Sequence, residues 1–423
     1  MNLSSLEYML LKRNKLSGTI PSQLEALVNL KILDLGGNEF AGQIPSSLGN
    51  LLKLEELRLT RNALNGTIPV SLGNLLQLQV LHINQNSLSG TLPSSLGQLA
   101  ANLDVLALAE NRLSGSVPDA IWQLTNLRSL LLQDNLLLSG TIPPAAGHIS
   151  NLQKLRIYNN QFTGRLPTEL GNLQRLDGLN ADFNNFKGTI PVELQNLSLL
   201  EVLQLQNNNL SGVIPAGIWK FEFLRTLRLG NNSFSGQLPD AFQSALTDLG
   251  LEHNQISGTM PNTLRGLEKL VYLKLNNNRL TGTIPSAQTF WAIKAMNLSF
   301  NEFSASPLQP KMIQYLNNIE RFVLQNTNLA GTIPAEVGSL GSLVEINFSD
   351  NPLVVGTIPN ELGMLSYLEA LMLNNTNLHG TIPEKLCKRV IEGKLNVTFD
   401  CLSVNCSCLV GRNLLSSESH SSF

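Results

Sequence analysis

The chain has 423 residues, 43% of them hydrophobic, 14% charged and 5% aromatic, with a formal charge of -2. It is too apolar to be disordered, and its balanced charge excludes the clustered Lys/Arg surface that nucleic acid or an anionic membrane would require. No apolar run approaches the roughly 18 residues needed to cross a bilayer, so no membrane span is expected in this chain.

Met1 to Leu11 has no basic segment and no small-residue cleavage site, so it does not read as a signal peptide. The chain starts inside a repeat without an N-terminal cap, and the expectation is an N-terminally truncated sequence. From there one pattern recurs, L-x-x-L-x-L-x-x-N-x-L-x-G-x-I-P. Its Asn falls at Asn14, Asn38, Asn62, Asn86, Asn111, Asn135, Asn160, Asn184, Asn208, Asn232, Asn254, Asn278, Asn301 and Asn351. Thr327 and Thr376 take the slot in two more copies, so fourteen plus two makes sixteen repeats, at a mean spacing of about 24 residues.

Each part of the pattern has a physical reason. In Leu54-Glu55-Glu56-Leu57-Arg58-Leu59 the last two leucines are two apart, so both point to one side of a short strand while Glu56, Arg58 and Thr60 point to the other. The Asn follows at the bend, where its amide both donates to and accepts from backbone groups of neighbouring coils. Gly66 relaxes the next turn, and Pro69 fixes φ and ends pairing on that flank. Val70 to Leu75 has apolar residues three apart, which suits a 3₁₀ or short helical turn. One repeat buries too little to offset its own ordering, so stability requires stacking. The expected fold is a leucine-rich-repeat solenoid over residues 1–386, a curved right-handed superhelix. One parallel β-sheet lines its concave face, and 3₁₀ or short helical turns line the convex face.

Three repeats depart from the pattern. Repeats six and fifteen carry one extra residue before the Gly, in Asn135 to Gly140 and Asn351 to Gly356. Repeat thirteen lacks the G-x-I-P element at Phe303 to Pro307, and its connection through Lys311 to Asn318 is long. All three read as widened loops rather than docking islands. Leu395 to Asp400 keeps the strand spacing, with Asp400 in the Asn slot, and reads as a closing coil. A C-terminal cap is expected over 387–410 and a disordered tail over 411–423. The four cysteines, Cys387, Cys401, Cys406 and Cys408, all belong to that cap. Cys406 and Cys408 are too close to pair with each other, which leaves Cys387 bonded to one and Cys401 to the other. The spacing lacks the paired C-x₂₋₄-C form of structural zinc sites, so no metal is expected.

Segments such as Leu88-Ser-Gly90-Thr-Leu92-Pro93-Ser-Ser-Leu96-Gly-Gln-Leu99 resemble the plant-type leucine-rich repeat. That L-x-G-x-I-P class occurs in the ectodomains of plant receptor-like kinases, in receptor-like proteins and in polygalacturonase inhibitors. The resemblance covers about residues 3–400. The ending from Asp400 to Cys408 is similar to the cysteine-rich finish of diatom leucine-rich-repeat proteins, though without their additional cysteines. The resemblance implies an extracellular or cell-surface recognition module that binds a peptide, protein or glycan, with a co-receptor among its partners. The alternative it implies is a secreted inhibitor of a cell-wall-degrading enzyme.

No catalytic constellation emerges, and neither an enzyme nor a cofactor is expected. His82, His148, His253, His379 and His420 are scattered over different coils, and no nucleotide, hydrolase or metalloprotease motif is present. A structural or ice-binding role would need a uniform column of small residues, whereas the inner-face columns here are heterogeneous. The candidate ligand-binding residues on the concave face are Arg156, Tyr158, Asn180, Asp182, Gln204, Gln206, Arg228 and Glu252. They combine amides, an aromatic ring and both charge signs, which suits an extended peptide or glycan. Arg58, Arg61 and His82 form a weaker cluster near the start. Phe183 and Phe300, just before the Asn, are expected to pack locally at the sheet edge. Glycosylation candidates are Asn65, Asn196, Asn209, Asn231, Asn297, Asn347, Asn374 and Asn396, with further sequons at Asn2 and Asn405. Asn297 and Asn347 lie on the strands, so sugars there would push binding towards the middle coils.

Overall fold

The computed structural model describes residues 5–242, 245–284, 290–401 and 403–405. The chain divides into two compact units, Met1–Ser233 and Phe234–Phe423, each built from the same kind of coil. In the third coil Leu57 and Leu59 are fully buried, while Glu56 and Arg58 remain partly exposed. Each such triplet is a strand paired in parallel with the next. In the first unit these strands are Tyr8–Leu10, Ile32–Asp34, Glu56–Arg58, Val80–His82, Val105–Ala107, Ser129–Leu131, Lys154–Arg156, Gly178–Asn180, Val202–Gln204 and Thr226–Arg228. In the second they are Asp248–Gly250, Tyr272–Lys274, Ala295–Asn297, Arg321–Val323, Glu345–Asn347, Ala370–Met372 and Asn396–Thr398.

On the far side of each coil, 3₁₀ turns such as Val70–Asn74 and Thr168–Asn172 bury Leu72 and Leu170. Coils approach closely there. A Cβ on Gly73 would stand 2.4 Å from the Ser95 carbonyl oxygen, so this glycine is needed for stacking rather than for its torsion. The stretch after each Asn also pairs, giving a second row of short strands beyond the single sheet expected. In the first unit Ser17–Thr19, Glu39–Gln43 and Ala63–Asn65 make one ladder. Ser89–Gly90, Arg112–Ser116, Leu137–Gly140, Gln161–Gly164, Asn185–Gly188 and Asn209–Val213 make another.

The Asn amide holds the two rows together. Asn184 is 7% exposed. Its Nδ2 donates to the carbonyl of Ile157 in the previous coil at 2.9 Å, and to Ala181 and Asp182 in its own coil at 3.2 and 3.1 Å. Its Oδ1 accepts the Phe162 N–H of the previous coil at 2.9 Å. Asn62, Asn86, Asn111 and Asn208 repeat the arrangement. Where Thr327 and Thr376 replace Asn, the hydroxyl keeps the bond within the coil, donating to Leu324 and Leu373 at 2.8 Å each. Asp400 keeps only the acceptor half, taking the Thr376 N–H at 3.1 Å.

The extra residue of repeat six breaks this scheme at one point. Leu136 is in the left-handed region at φ 58°, and the Leu137 N–H turns back to the Asn135 carbonyl at 2.7 Å. It is therefore lost to Asn160, whose Oδ1 is buried without a hydrogen-bond partner among the described residues. In repeat fifteen a bulge between Asn351 and Val355 absorbs the insertion. The long connection of repeat thirteen forms a helical turn, Pro310–Ile313, that buries Met312 and Ile313. Beside it Trp291 and Tyr315 meet edge to face at 5.0 Å, so the segment packs on its own unit.

The closing helix, Glu384–Ile391, begins ahead of the boundary expected at 387 and buries Leu386 and Val390. The Arg389 guanidinium donates to the carbonyls of Leu365, Ser366 and Leu368, at and after the end of the 3₁₀ turn of the coil before. Cys387 and Cys401 are both disulfide-bonded. Cys406, Cys408 and the segment 411–423 lie outside the described residues.

Asn184→Ala strands a buried N–H and removes the side-chain donor from three carbonyls, and is expected to cost about 2–4 kcal/mol in urea denaturation. Asn160→Ala, whose Oδ1 is already unpartnered, is expected to cost about 1 kcal/mol less. Equal losses would show that the Oδ1 bond adds nothing.

Candidate ligand-binding face

Two columns of side chains run along the outward face of the first unit's sheet. The first follows the strand register through Arg58, His82, Ala107, Leu131, Arg156, Asn180, Gln204 and Arg228. The second lies two residues later, where the coils still pair. There the Asp134 N–H donates to the Tyr158 carbonyl at 3.0 Å, the Asn159 N–H to Asp182 at 3.1 Å, and the Phe183 N–H to Gln206 at 3.0 Å. Gln133, Tyr158, Asp182 and Gln206 therefore stand side by side on successive coils.

Seven of the eight predicted residues fall in these two columns. Arg156 and Arg228 are exposed, and Tyr158, Asn180, Gln204 and Gln206 are half-buried. The Asn180 amide donates to Gln204 Oε1, and Gln206 Nε2 donates to Asp182 Oδ2 at 3.2 Å, tying adjacent coils. The eighth, Glu252, belongs to the second unit, where its Oε2 is shielded from solvent and has no hydrogen-bond partner among the described residues.

The second column has a property that composition does not reveal. Gln133 Oε1, Asp182 Oδ1 and Gln206 Oε1 are all buried and lack hydrogen-bond partners among the described residues. Buried acceptors are normally paired, so three on one column are unusual. Asp182 is 6% exposed, and burial pushes its carboxyl up to about 6. Its own backbone N–H and Arg228 pull the other way, while Asp134 adds to the rise. Burial likewise raises the Tyr158 hydroxyl, with Asp134 adding to it. Gln133 was not among the predicted residues; its slot, shared with Tyr158 in the next repeat, was the available signal.

Phe183 and Phe300 do not pack as expected. Both occupy the left-handed turn before the Asn, at φ 50° and 53°, and are 50% and 40% exposed. That turn swings the side chain out of the coil. His253 sits at the same kind of turn in the second unit. Arg58, Arg61 and His82 gather around a shallow concavity at the start of the first unit.

Asn65, Asn196, Asn209, Asn231, Asn396 and Asn405 are exposed, and Asn297 and Asn374 are half-buried. Asn347 is 7% exposed, its Nδ2 donating to Gln325 Oε1 and its Oδ1 accepting from Ser349. A sugar on that nitrogen would have to displace these bonds. Asn2 lies outside the described residues. Among the described residues no group of three or more His, Cys, Asp or Glu is placed to hold a metal ion, and no helix is long and apolar enough to cross a membrane.

A leucine-rich repeat region model matches residues 69–304, and a single leucine-rich repeat model matches 29–51 and 53–75. The chain belongs to the leucine-rich-repeat family. It is similar to the Arabidopsis receptor kinase HAESA, solved with the peptide hormone IDA and the co-receptor SERK1, at 32% identity over 94% of this chain and 71% of that one (TM-score 0.84). It is also similar to the plant peptide hormone receptor RGFR1, solved with RGF2, at 32% identity over 94% of this chain (TM-score 0.82), and spans 66% of the length of that chain. A leucine-rich-repeat protein of Leptospira interrogans matches at 31% identity over 94% of this chain and 97% of that one (TM-score 0.68). A search of curated proteins gives no significant match.

Because the folded chain raises the Asp182 carboxyl from 3.8 to about 6, the native state binds its proton more tightly than the unfolded chain does. This group's contribution to stability is highest below about pH 4, falls between about pH 4 and 6, and stays low above. Asp182→Asn is therefore expected to stabilise the protein by about 1–2 kcal/mol at neutral pH and to have little effect at about pH 4 in urea denaturation. A gain of the same size at both pH values would contradict the assignment.

Proposed function

We propose that the chain is a non-catalytic recognition module that binds an extended peptide on the sheet face of its first unit, as the ectodomain of a cell-surface receptor does. The observation that carries this reading is the pair of adjacent columns on the sheet face, Arg156, Asn180, Gln204 and Arg228 beside Gln133, Tyr158, Asp182 and Gln206, which join amides, a ring and both charge signs. A peptide laid along the coils advances about 3.3 Å per residue against about 4.8 Å per coil, so about three residues span two coils. A Lys or Arg side chain would answer Asp182, and Tyr158 offers a ring with a polar end. Exposed Arg156 and Arg228 border the second column. The likeness to HAESA and RGFR1, both solved with peptide ligands, supports the reading and brings with it an extracellular setting and a co-receptor.

Selection of a random 12-residue peptide library on the chain tests this. Recovered peptides are expected to be rich in Lys or Arg and to lose about tenfold or more in affinity for Tyr158→Ala and for Gln206→Ala. Binding of cell-wall oligosaccharides alone, or of peptides that ignore both substitutions, would overturn it.

A further inference from the structure

In most coils the second-row strand ends on a glycine whose backbone is left-handed, while the residue before it varies. Gly66 has φ 74°, and a Cβ there would stand 2.8 Å from Gln43 Cγ of the coil before, so the fold favours glycine at this position. Neighbouring coils place Ser17, Ala41, Ser89 and Ser114 ahead of the same glycine, whereas the third coil places Asn65 there. Asn65-Gly66 is the one Asn-Gly pair in the chain. The coil thus sets beside this amide the residue whose backbone nitrogen has no side chain to shield it.

Both halves of the pair are unengaged. Asn65 is exposed, and its side-chain amide makes no hydrogen bond among the described residues. The Gly66 N–H donates to nothing among them either, although the Gly66 carbonyl accepts the Ser89 N–H at 2.7 Å. The asparagines of the repeat are held by contrast, as at Asn62, whose Nδ2 donates to the Leu35 and Leu59 carbonyls at 3.1 and 3.0 Å. Asp177-Gly178 has the atoms for a similar ring closure, but Gly178 is buried and its N–H donates to the Gln153 carbonyl at 3.1 Å. Exposure, a free amide and a free neighbouring nitrogen come together at Asn65.

We propose that Asn65 is a site of non-enzymatic deamidation, at which the Gly66 nitrogen closes a ring on the Asn65 side chain. The nitrogen gives its proton to hydroxide and attacks Asn65 Cγ; the new N–C bond forms, the Cγ–Nδ2 bond breaks and ammonia leaves. Water then opens the cyclic imide at either carbonyl, giving Asp or, where the chain now runs through Cγ, isoaspartate. One water enters and one ammonia departs, with no change of oxidation state. Isoaspartate adds a methylene to the backbone beside the Gln43–Asn65 pairing and displaces the Gly66 carbonyl from the Ser89 N–H, so the third coil loosens from its neighbours. Asn65-Gly66-Thr67 is also a sequon, and a sugar on Nδ2 would burden the leaving group and preserve the amide. That protection rests on the extracellular reading above; the ring closure itself does not.

Mass-spectrometric peptide mapping of the folded, sugar-free chain after incubation at mildly alkaline pH, with enzymatic methyl labelling of isoaspartate, tests the proposal. Conversion is expected at Asn65 ahead of every other asparagine, and faster as hydroxide rises. Asn65→Ser, which installs the commonest residue of this slot, should reduce the label to background and leave the urea midpoint of fresh protein unchanged. On incubation the wild-type midpoint should fall while that of Asn65→Ser holds. Earlier conversion of another asparagine, or conversion of Asn65 only in chain unfolded with urea, would overturn the proposal. Chain secreted with a sugar on Asn65 should keep that residue intact. If the secreted chain carries no sugar there, or the glycosylated residue converts as fast as the bare one, the protection falls while the ring closure stands. Neither outcome touches peptide selection, so this proposal and the peptide reading fail separately.

Discussion

One side-chain amide in each coil sets the rest of the structure. Where the chain leaves the sheet it passes through a left-handed residue, such as Asn159 or Phe183, and carbonyls of two successive coils lose their partners. An N–H of the coil before is left unpaired as well. Asn carries an NH₂ with two donor hydrogens and a separate carbonyl acceptor on a short stem, and Asn184 meets all of these needs at once. The substitutions found at that slot separate the halves of the job. Thr376 keeps the donor, and Asp400, in the closing coil, keeps the acceptor.

Fixing that slot also fixes its neighbours. The residue before the Asn always swings outward, and the one before that always joins the second column of the sheet face. Position is dictated by backbone chemistry while identity is left free, so chemical variety concentrates on these two slots. Asp182 and Phe183 occupy one such pair. The acceptors left unpaired at Gln133, Asp182 and Gln206 oppose stability, because burying an oxygen without a donor costs free energy. Stacking of fully buried leucines offsets that cost, which lets the first unit carry these groups.

Much of the coil was legible in the sequence because its causes are local. Leucines two apart, the Asn, and the Gly and Pro that follow each act through one residue's geometry, and Asp400 in the Asn slot could be read the same way. The second row of strands could not, since segments as short as Ser89–Gly90 exist only through bonds to the next coil. The exposure of Phe183 depends on a left-handed torsion that hydropathy does not record. Seven of the eight candidate residues could be placed on two adjacent columns by slot, but Gln133 was passed over because its surroundings arise from neighbouring coils. The Asn65-Gly66 pair is plain in the sequence, but only the fold shows that its amide and the Gly66 N–H are both unengaged among the described residues.

The central claim is that Asn amides, more than strand pairing alone, hold one coil to the next. Residue-resolved hydrogen–deuterium exchange addresses it directly. The N–H groups of Phe162, Phe186 and Leu210 donate to the side-chain oxygens of Asn184, Asn208 and Asn232. The account predicts that they exchange as slowly as the strand N–H groups of the same coils. Exchange at the rate of open turns would contradict it.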